Sequence, residues 1–192
     1  MITGSILLVL TAIHPRDYAT WWMETAPIFI AVPIFAATYK RFTLTPLVYR
    51  LLFVHALILM VGGHYTYAEV PLGYWMENWF GFLRNDYDKI GHFAQGFVPA
   101  LLFRELLLRS SPLQRGKLLF TLVTACCLAV SASYELIEWL AAITMGQGAD
   151  AFLGTQGDPW DTQTDMLMAL VGAICAQLAL AKVQDNQLKI YS

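Results

Sequence analysis

The chain has 192 residues, of which 57% are hydrophobic and only 14% are charged. Soluble domains carry roughly a quarter charged residues, so this composition leaves too little polar surface for a soluble globule and favours a membrane protein. The net charge of −2 and the scattered lysines and arginines argue against nucleic-acid binding, because no basic stripe is present. A single membrane domain, residues 1–192, is expected at this length.

Hydropathy predicts an all-α, polytopic bundle of about six transmembrane helices. In chain order the predicted segments are Ile2–Ile13, Thr25–Tyr39, Leu47–Tyr65, Ile90–Leu108, Leu118–Ile143 and Met166–Val183. The first segment is short for a complete span. It also lacks the basic start and the cleavage site of a signal peptide, so we expect it to stay in the protein.

An aromatic stretch, Tyr65 to Tyr87, separates the third and fourth segments and includes Tyr67, Tyr74, Trp75, Trp79 and Phe80. Aromatic rings with polar tips favour the headgroup region of a bilayer. We interpret the stretch as an interfacial helix or re-entrant cap on the outer side of the bundle. An ordinary aromatic belt accounts for the same residues equally well.

The charges of the loops predict the orientation. With both termini in the cytoplasm, nine basic residues fall on the inner side and only Arg16, Arg84 and Lys89 fall on the outer side. The positive-inside rule favours this arrangement. The acidic residues show the opposite bias and collect on the periplasmic side: Asp17, Glu24, Glu69, Glu77, Asp86, Asp88, Asp150, Asp158, Asp161 and Asp165.

The fourth segment begins with a motif that could carry chemistry. Asp88 and His92 are four residues apart and share a helix face, and Gln95 follows one turn later. The two side chains could hold a metal ion together, or Asp88 could orient His92. The alternative is a simple helix start, in which Asp88 suits the helix dipole and His92 is an interfacial polar residue.

Two glutamates lie within the apolar fifth segment. Glu135 and Glu138 are three residues apart, and each would cost several kcal/mol if it were desolvated and unpaired. Carboxylates at such depth face the interior of a bundle and find a partner. One structural ion pair could satisfy one of them, so the presence of two favours a functional site.

The last outer loop and the end of the third segment add further candidates. Asp158, Asp161 and Asp165 would stack along one helix face if Pro159 lay in the first helical turn, with Asp158 at the N-cap. Like charges at that spacing repel one another unless a cation or a shared proton intervenes. His64, which follows a glycine pair, is expected at the outer rim of the same face.

These residues together predict one acidic, histidine-containing site on the periplasmic face. Carboxylates and imidazoles without thiolates suit a divalent Zn, Mn or Fe ion. The expected metal ligands are His64, Asp88, His92, Asp161 and Asp165. The expected catalytic carboxylates are Glu135 and Glu138, and the supporting residues are Lys89, Gln95 and Asp158.

Three strings resemble a known family over nearly the whole chain. They are Arg84 to Phe97, Tyr134 to Trp139 and Leu153 to Met166, and Gly62 to Tyr67 adds to them. They resemble the YjdF family, a group of bacterial inner-membrane proteins classified as a domain of unknown function (DUF2238). A remoter similarity is to VanZ-like membrane proteins, which are associated with glycopeptide-antibiotic tolerance. The resemblance implies a multi-pass inner-membrane topology and a shared motif set, with no established reaction.

Three functions are compatible with the sequence. The first is a metal-dependent hydrolase acting on a lipid or lipid-linked envelope substrate, with a spare glutamate as general base. The second is a non-enzymatic metal-ion or lipid-headgroup binder, or a small transporter. Transport would require polar residues toward the inner face, where the candidates are His55, Arg50, Arg104 and Glu105, and the last two are expected to snorkel to the surface. The third is a structural network of ion pairs and caps.

Overall fold

The computed structural model describes residues 2–145 and 155–190. Within these ranges the chain forms seven α-helices and one 3₁₀ turn, and no strand. In chain order they are α1 Ile2–Thr11, α2 Tyr18–Thr38, α3 Pro46–Tyr65, the 3₁₀ turn Tyr67–Glu69, α4 Pro71–Phe80, α5 Tyr87–Ser110, α6 Lys117–Met145 and α7 Asp161–Leu188. The predicted all-α membrane fold is confirmed.

Every predicted hydrophobic segment is helical, but the helices differ in their capacity to span a bilayer. α2, α3, α6 and α7 are long and apolar enough to do so. α5 has 24 residues and carries charged side chains near both ends. Because α5 packs against α3, α6 and α7, these helices shield its charged side chains from lipid. α1 has ten residues, which at 1.5 Å per residue is about 15 Å, and this is short of the ~30 Å hydrocarbon core.

Two helix starts differ from the sequence prediction. α2 begins at Tyr18 because Asp17 caps it, accepting a hydrogen bond from the Thr20 amide at 2.6 Å. α7 begins at Asp161 with Trp160 as its N-cap residue, so the prediction that Asp158 caps this helix is wrong. Asp158 lies in the preceding turn, where one carboxylate oxygen accepts from the Trp160 amide at 2.9 Å and the other contacts Arg84 at 3.1 Å.

Helices α5 and α7 form the most extensive packing in the described structure, and two glycines bring their backbones together. A Cβ atom at Gly96 would lie 1.8 Å from the carbonyl oxygen of Ala169, and one at Gly172 would lie 2.1 Å from that of Phe93. Because both helices begin at the same end of the bundle, this contact brings their first two turns side by side. Those turns contain Asp88, His92, Asp161 and Asp165, and we call this end of the molecule the acidic end.

An apolar core separates the acidic end from a second polar cluster at the opposite, basic end, which contains Arg104, Glu105, Arg109 and Asp185. The core draws on α3, α5, α6 and α7 and on the residues before α3. Its buried members are Leu44, Val48, Ala100, Leu101, Leu119, Val123, Cys127, Ala173 and Ala176. The two polar clusters are therefore distinct regions of the molecule.

The aromatic stretch between α3 and α5 contains the short helix α4, and its position at the membrane interface stays a prediction. On α4 the rings of Trp75, Trp79 and Phe80 are exposed, as an interfacial helix requires. Tyr67, in contrast, is buried, and its ring fills the space above Gly62 and Gly91. Tyr67 is thus a packing residue that joins the 3₁₀ turn to α3 and α5.

Candidate functional site

The geometric centre of the acidic end is the imidazole of His92. Its Nε2 atom lies 3.3 Å from Asp88 Oδ1 on the preceding turn of α5 and 3.8 Å from Asp165 Oδ2 on α7. One donor atom from each of these three residues lies within 4.8 Å of the other two. His92 and Asp165 are buried, while the side chain of Asp88 is 13% exposed. The i,i+4 pair seen in the sequence therefore meets a carboxylate of the last helix.

The spacing of these atoms fits a small divalent ion. Bonds of about 2.1 Å in a tetrahedral arrangement separate two ligand atoms by roughly 3.4 Å. The two distances from His92 Nε2, 3.3 and 3.8 Å, lie close to that value. One imidazole nitrogen and two carboxylates are a donor set that suits Zn, Mn or Fe. The same atoms also accommodate an imidazolium ion between two carboxylates.

The opposite edge of the imidazole contacts two further predicted residues. His92 Nδ1 lies 3.2 Å from Gln95 Oε1 and 3.7 Å from Glu135 Oε1. An Nδ1–H group that donates to Gln95 leaves the Nε2 lone pair directed at Asp88 and Asp165, which is the usual arrangement behind a histidine ligand. Glu135 is 6% exposed, and its Oε1 atom has no hydrogen-bond partner among the described residues.

Two cations occupy the rim of the site. Lys89 Nζ contacts Asp165 Oδ1 at 2.6 Å and Asp161 Oδ1 at 2.8 Å. Arg84 Nη2 contacts Asp161 Oδ1 at 2.7 Å and Asp158 Oδ2 at 3.1 Å. Burial opposes the charge of Arg84, but the hydrogen bond to Asp161 and the nearby carboxylates outweigh it and raise the pKa of its guanidinium. Asp161 is thus engaged by both cations, whereas Asp165 Oδ2 is left facing His92.

A pair of side chains holds the rim together. The backbone N–H of Asn85 donates to Gln156 Oε1 at 3.2 Å, and Gln156 Nε2 donates to the backbone carbonyl of Asn85 at 2.8 Å. Asn85 Nδ2 also donates to the carbonyl of Val70 at 2.9 Å. These contacts tie the residues before α5 to the loop before α7, and so they fix Arg84 beside Asp161. The sequence analysis did not single out Asn85, since an amide in a polar loop carries no distinctive signal.

A cavity of about 210 Å³ lies beside the three-residue group. It is lined by four helices, α2, α3, α5 and α6. Its lining residues are Glu24, Pro27, His55, Leu59, Tyr67, Asp88, Gly91, His92, Gln95, Pro99, Val130, Tyr134 and Glu138. Glu138, predicted as catalytic, therefore faces the same space as Asp88 and His92.

Glu24 is the buried carboxyl group that the sequence analysis did not assign to the site. It is 3% exposed and accepts a hydrogen bond from the Tyr134 hydroxyl at 3.3 Å. The signal was present in the sequence, since Glu24 follows Trp21-Trp22-Met23 and precedes an apolar run. It was missed because the second segment was predicted to begin one residue later, at Thr25.

Carboxyl groups outnumber cations at the acidic end. Six belong to the cavity or to the group around His92, namely Glu24, Asp88, Glu135, Glu138, Asp161 and Asp165. Within the described residues, Arg84 and Lys89 are the fixed cations that contact them, and His92 can add a third charge. Carboxyl groups this close together need protons or a bound cation.

One predicted ligand lies apart from the others. His64 Nδ1 is 3.0 Å from the carbonyl oxygen of Thr11, and its ring packs edge-on against Tyr65. His64 therefore joins the end of α3 to the end of α1. The remaining predicted residues form three sets. The central group is Asp88, His92 and Asp165, with Gln95 and Glu135 on the far side of the imidazole. Glu138 lies in the cavity wall, and the rim consists of Lys89, Asp158 and Asp161.

Comparisons with known proteins agree with this architecture. The family described as "Predicted membrane protein (DUF2238)" matches residues 1–186 of the chain. "Inner membrane protein YjdF" of Escherichia coli (strain K12) is 53% identical over 188 residues, which cover 98% of this chain and 90% of that protein. No solved structure matches. The chain is therefore a member of the DUF2238 family of predicted membrane proteins.

Proposed function

We propose that this protein is a metal-dependent hydrolase of the bacterial inner membrane that acts on a lipid or lipid-linked substrate. The proposal is supported by the group of Asp88, His92 and Asp165, in which His92 Nε2 lies 3.3 and 3.8 Å from the two carboxylates and the three donor atoms lie within 4.8 Å of one another. A divalent ion held there would make water a nucleophile at neutral pH. The inner-membrane location follows the name of the E. coli relative.

The other residues around the metal group have separate roles in the proposed reaction. Glu138 lines the cavity together with Asp88 and His92, so we assign it the role of general base toward water in that space. Glu135 and Gln95 hold the far edge of the imidazole and keep Nε2 directed at the two aspartates. Lys89 and Arg84 balance the charge of Asp161 and of one oxygen of Asp165, which leaves Asp165 Oδ2 facing His92.

The second candidate is a binder of metal ions or lipid headgroups without catalysis. The excess of carboxyl groups favours it, since cation capture needs acids but no base. Transport has less support, because the apolar core lies between the acidic end and the basic end. In the orientation favoured by the positive-inside rule, the cavity faces the periplasm and both termini are cytoplasmic.

Hydrolysis can be tested on purified protein in proteoliposomes made from extracted inner-membrane lipids. When Zn²⁺ or Mn²⁺ is supplied, mass spectrometry should detect two cleavage products whose summed mass exceeds that of the parent lipid by one water, and neither product in the presence of a chelator. Glu138→Gln should retain the metal but lose turnover, whereas Asp165→Asn should lose both. Asp185→Asn, an ion-pair variant at the basic end, should behave as the wild type. Metal binding without any product in the wild type would favour the binder.

A further inference from the structure

Helices α2 and α6 both line the cavity, yet they do not pack against each other. α2 packs on α3, and α6 packs on α5 and α7. Within the described residues, the contact between α2 and α6 that stands out is the hydrogen bond from Tyr134 to Glu24, near the acidic end. α3 and α5 close the back of the cavity, and the space between α2 and α6 forms its front. Away from the Tyr134–Glu24 bond, the described parts of α2 and α6 show no extensive contact with each other.

The rims of this gap are apolar and exposed. Val130 of α6 lines the cavity and is 38% exposed. On α2, Pro27 lines the cavity, and Ile30, one turn further on, is 63% exposed. In a membrane protein, exposed aliphatic side chains on spanning helices face lipid. The cavity therefore opens toward the bilayer through the gap between α2 and α6.

The depth of the gap identifies the part of a lipid that meets it. Asp88 lies in the first turn of α5 and Pro99 lies eleven residues later, and both line the cavity. At 1.5 Å per residue this is a depth of roughly 16 Å, about half of the ~30 Å hydrocarbon core. The carboxyl groups and His92 lie toward the acidic end, while Leu59 and Pro99 lie toward the middle of the helices, where His55 is the polar lining residue. The cavity thus has the polarity of an amphiphile.

The cavity is too small for a whole lipid. Its volume of about 210 Å³ is below the roughly 300–1,000 Å³ of pockets that enclose a drug-sized ligand. A glycerophospholipid can place only one segment of itself there, and the rest of the molecule must stay in the surrounding bilayer. This is possible only when the cavity is open sideways, as it is between α2 and α6.

We propose that the gap between α2 and α6 is a lateral entrance through which one membrane glycerophospholipid inserts part of a chain and its adjoining ester region. The polar end of the inserted segment then lies next to His92 and Asp88, and the remaining chain stays in the bilayer. The chemistry at His92 rests on the proposed function, whereas the entry of the lipid does not.

Photolabelling tests the entrance. The protein is reconstituted in phosphatidylethanolamine vesicles that contain an analogue with a diazirine in its acyl chain, with a chelator present throughout. After irradiation, peptide mass spectrometry should find adducts on the cavity residues Leu59 and Pro99. Leu178 of α7, which is 74% exposed, serves as the internal control for ordinary contact with lipid. Adducts on Leu178 without adducts on Leu59 or Pro99 would overturn the proposal.

A bulky side chain at the rim sharpens the test. Val130→Trp should abolish the adducts on Leu59 and Pro99 and leave the Leu178 adduct unchanged, and Val130→Ala should preserve all three. Unchanged cavity labelling in a folded Val130→Trp protein would contradict entry through this gap, and if that variant does not fold, the wild-type labelling still decides. Cavity adducts in a protein that binds no metal would leave the entrance standing and the proposed function refuted. A bound metal without cavity adducts would refute the lateral entrance and leave the proposed metal site standing.

Discussion

Both ends of the bundle contain buried carboxylates together with basic side chains, but among the described residues the hydrogen bonds of the buried carboxylates are complete only at the basic end. At the basic end Glu105 is fully buried and accepts hydrogen bonds from the Thr45 amide at 2.9 Å, the Thr45 hydroxyl at 2.7 Å and Arg109 at 2.8 Å. At the acidic end Glu135 is almost as buried, but its Oε1 atom has no hydrogen-bond partner in the described part of the chain.

This difference separates a structural network from a candidate site. Buried polar atoms in folded proteins are normally paired, and an unpaired one calls for an explanation such as a catalytic role or an unseen ion. The basic end meets the rule, since Arg104 also donates to Gln184 at 2.9 Å and to Asp185 at 2.7 Å. The acidic end departs from it with a surplus of carboxyl groups. Burial of a charge alone therefore does not distinguish function from architecture, whereas incomplete pairing does.

The largest effect on stability is expected at the basic end. Glu105→Gln keeps the shape of the side chain but deprives Arg109 of its carboxylate and places an amide against the donors of Thr45. Breaking a buried ion pair on one side costs about 3–5 kcal/mol, and we expect a loss of that size in the free energy of unfolding measured in a detergent titration. Glu69→Gln, which breaks the exposed pair with Arg16, is the control and should cost at most about 1 kcal/mol. Equal losses for the two variants would contradict the structural role.

An intermediate effect is expected for Lys89→Met. This variant removes the cation between Asp161 and Asp165 and leaves Arg84 alone at the rim. We expect a loss of about 3 kcal/mol in the presence of a chelator, at the lower end of the range for buried pairs because Lys89 is partly exposed. Added Zn²⁺ should restore more stability to this variant than to the exposed-lysine control Lys182→Met. An equal response of the two variants to the metal would argue against a cation site beside Asp165.

The smallest effect on stability is expected for Glu135→Gln. Because Oε1 of Glu135 accepts no hydrogen bond from a described residue, removal of the charge should change the free energy of unfolding by no more than about 1 kcal/mol, or raise it. The same variant should weaken the affinity for Zn²⁺ or Mn²⁺ by about 10-fold or more, as loss of a residue behind a metal ligand does. Calorimetric titration measures the affinity. A destabilisation as large as that of Glu105→Gln would place Glu135 among the structural residues.

The sequence was sufficient for the helices and for local motifs. Hydropathy located every described helix except α4, because a spanning segment must satisfy its own backbone and present apolar side chains along its length. The helical repeat placed Asp88 and His92 on one face, and the structure shows them 3.3 Å apart. The start of α2 was predicted too late, since the polar and aromatic residues after Asp17 dilute its hydropathy.

Contacts between helices that are far apart in the chain could not be predicted from the sequence. The position of Asp165 beside His92 depends on the close approach of α5 and α7 at Gly96 and Gly172. Arg104 and Glu105 were expected to snorkel, and that expectation was wrong, because they are 5% and 0% exposed. Their partners Gln184 and Thr45 lie 80 and 60 residues away in the chain. No local sequence pattern could therefore predict these contacts.

We propose that a divalent ion completes the acidic end, and elemental analysis of the purified protein tests this. Wild-type protein, Asp165→Asn and Asp185→Asn would be purified without chelator, exposed to Zn²⁺, Mn²⁺ and Fe²⁺ and freed of loosely bound metal. We expect a stoichiometric divalent ion in the wild type and in Asp185→Asn, and its loss in Asp165→Asn. A wild-type protein without metal, or an Asp165→Asn protein with the same metal content, would contradict it.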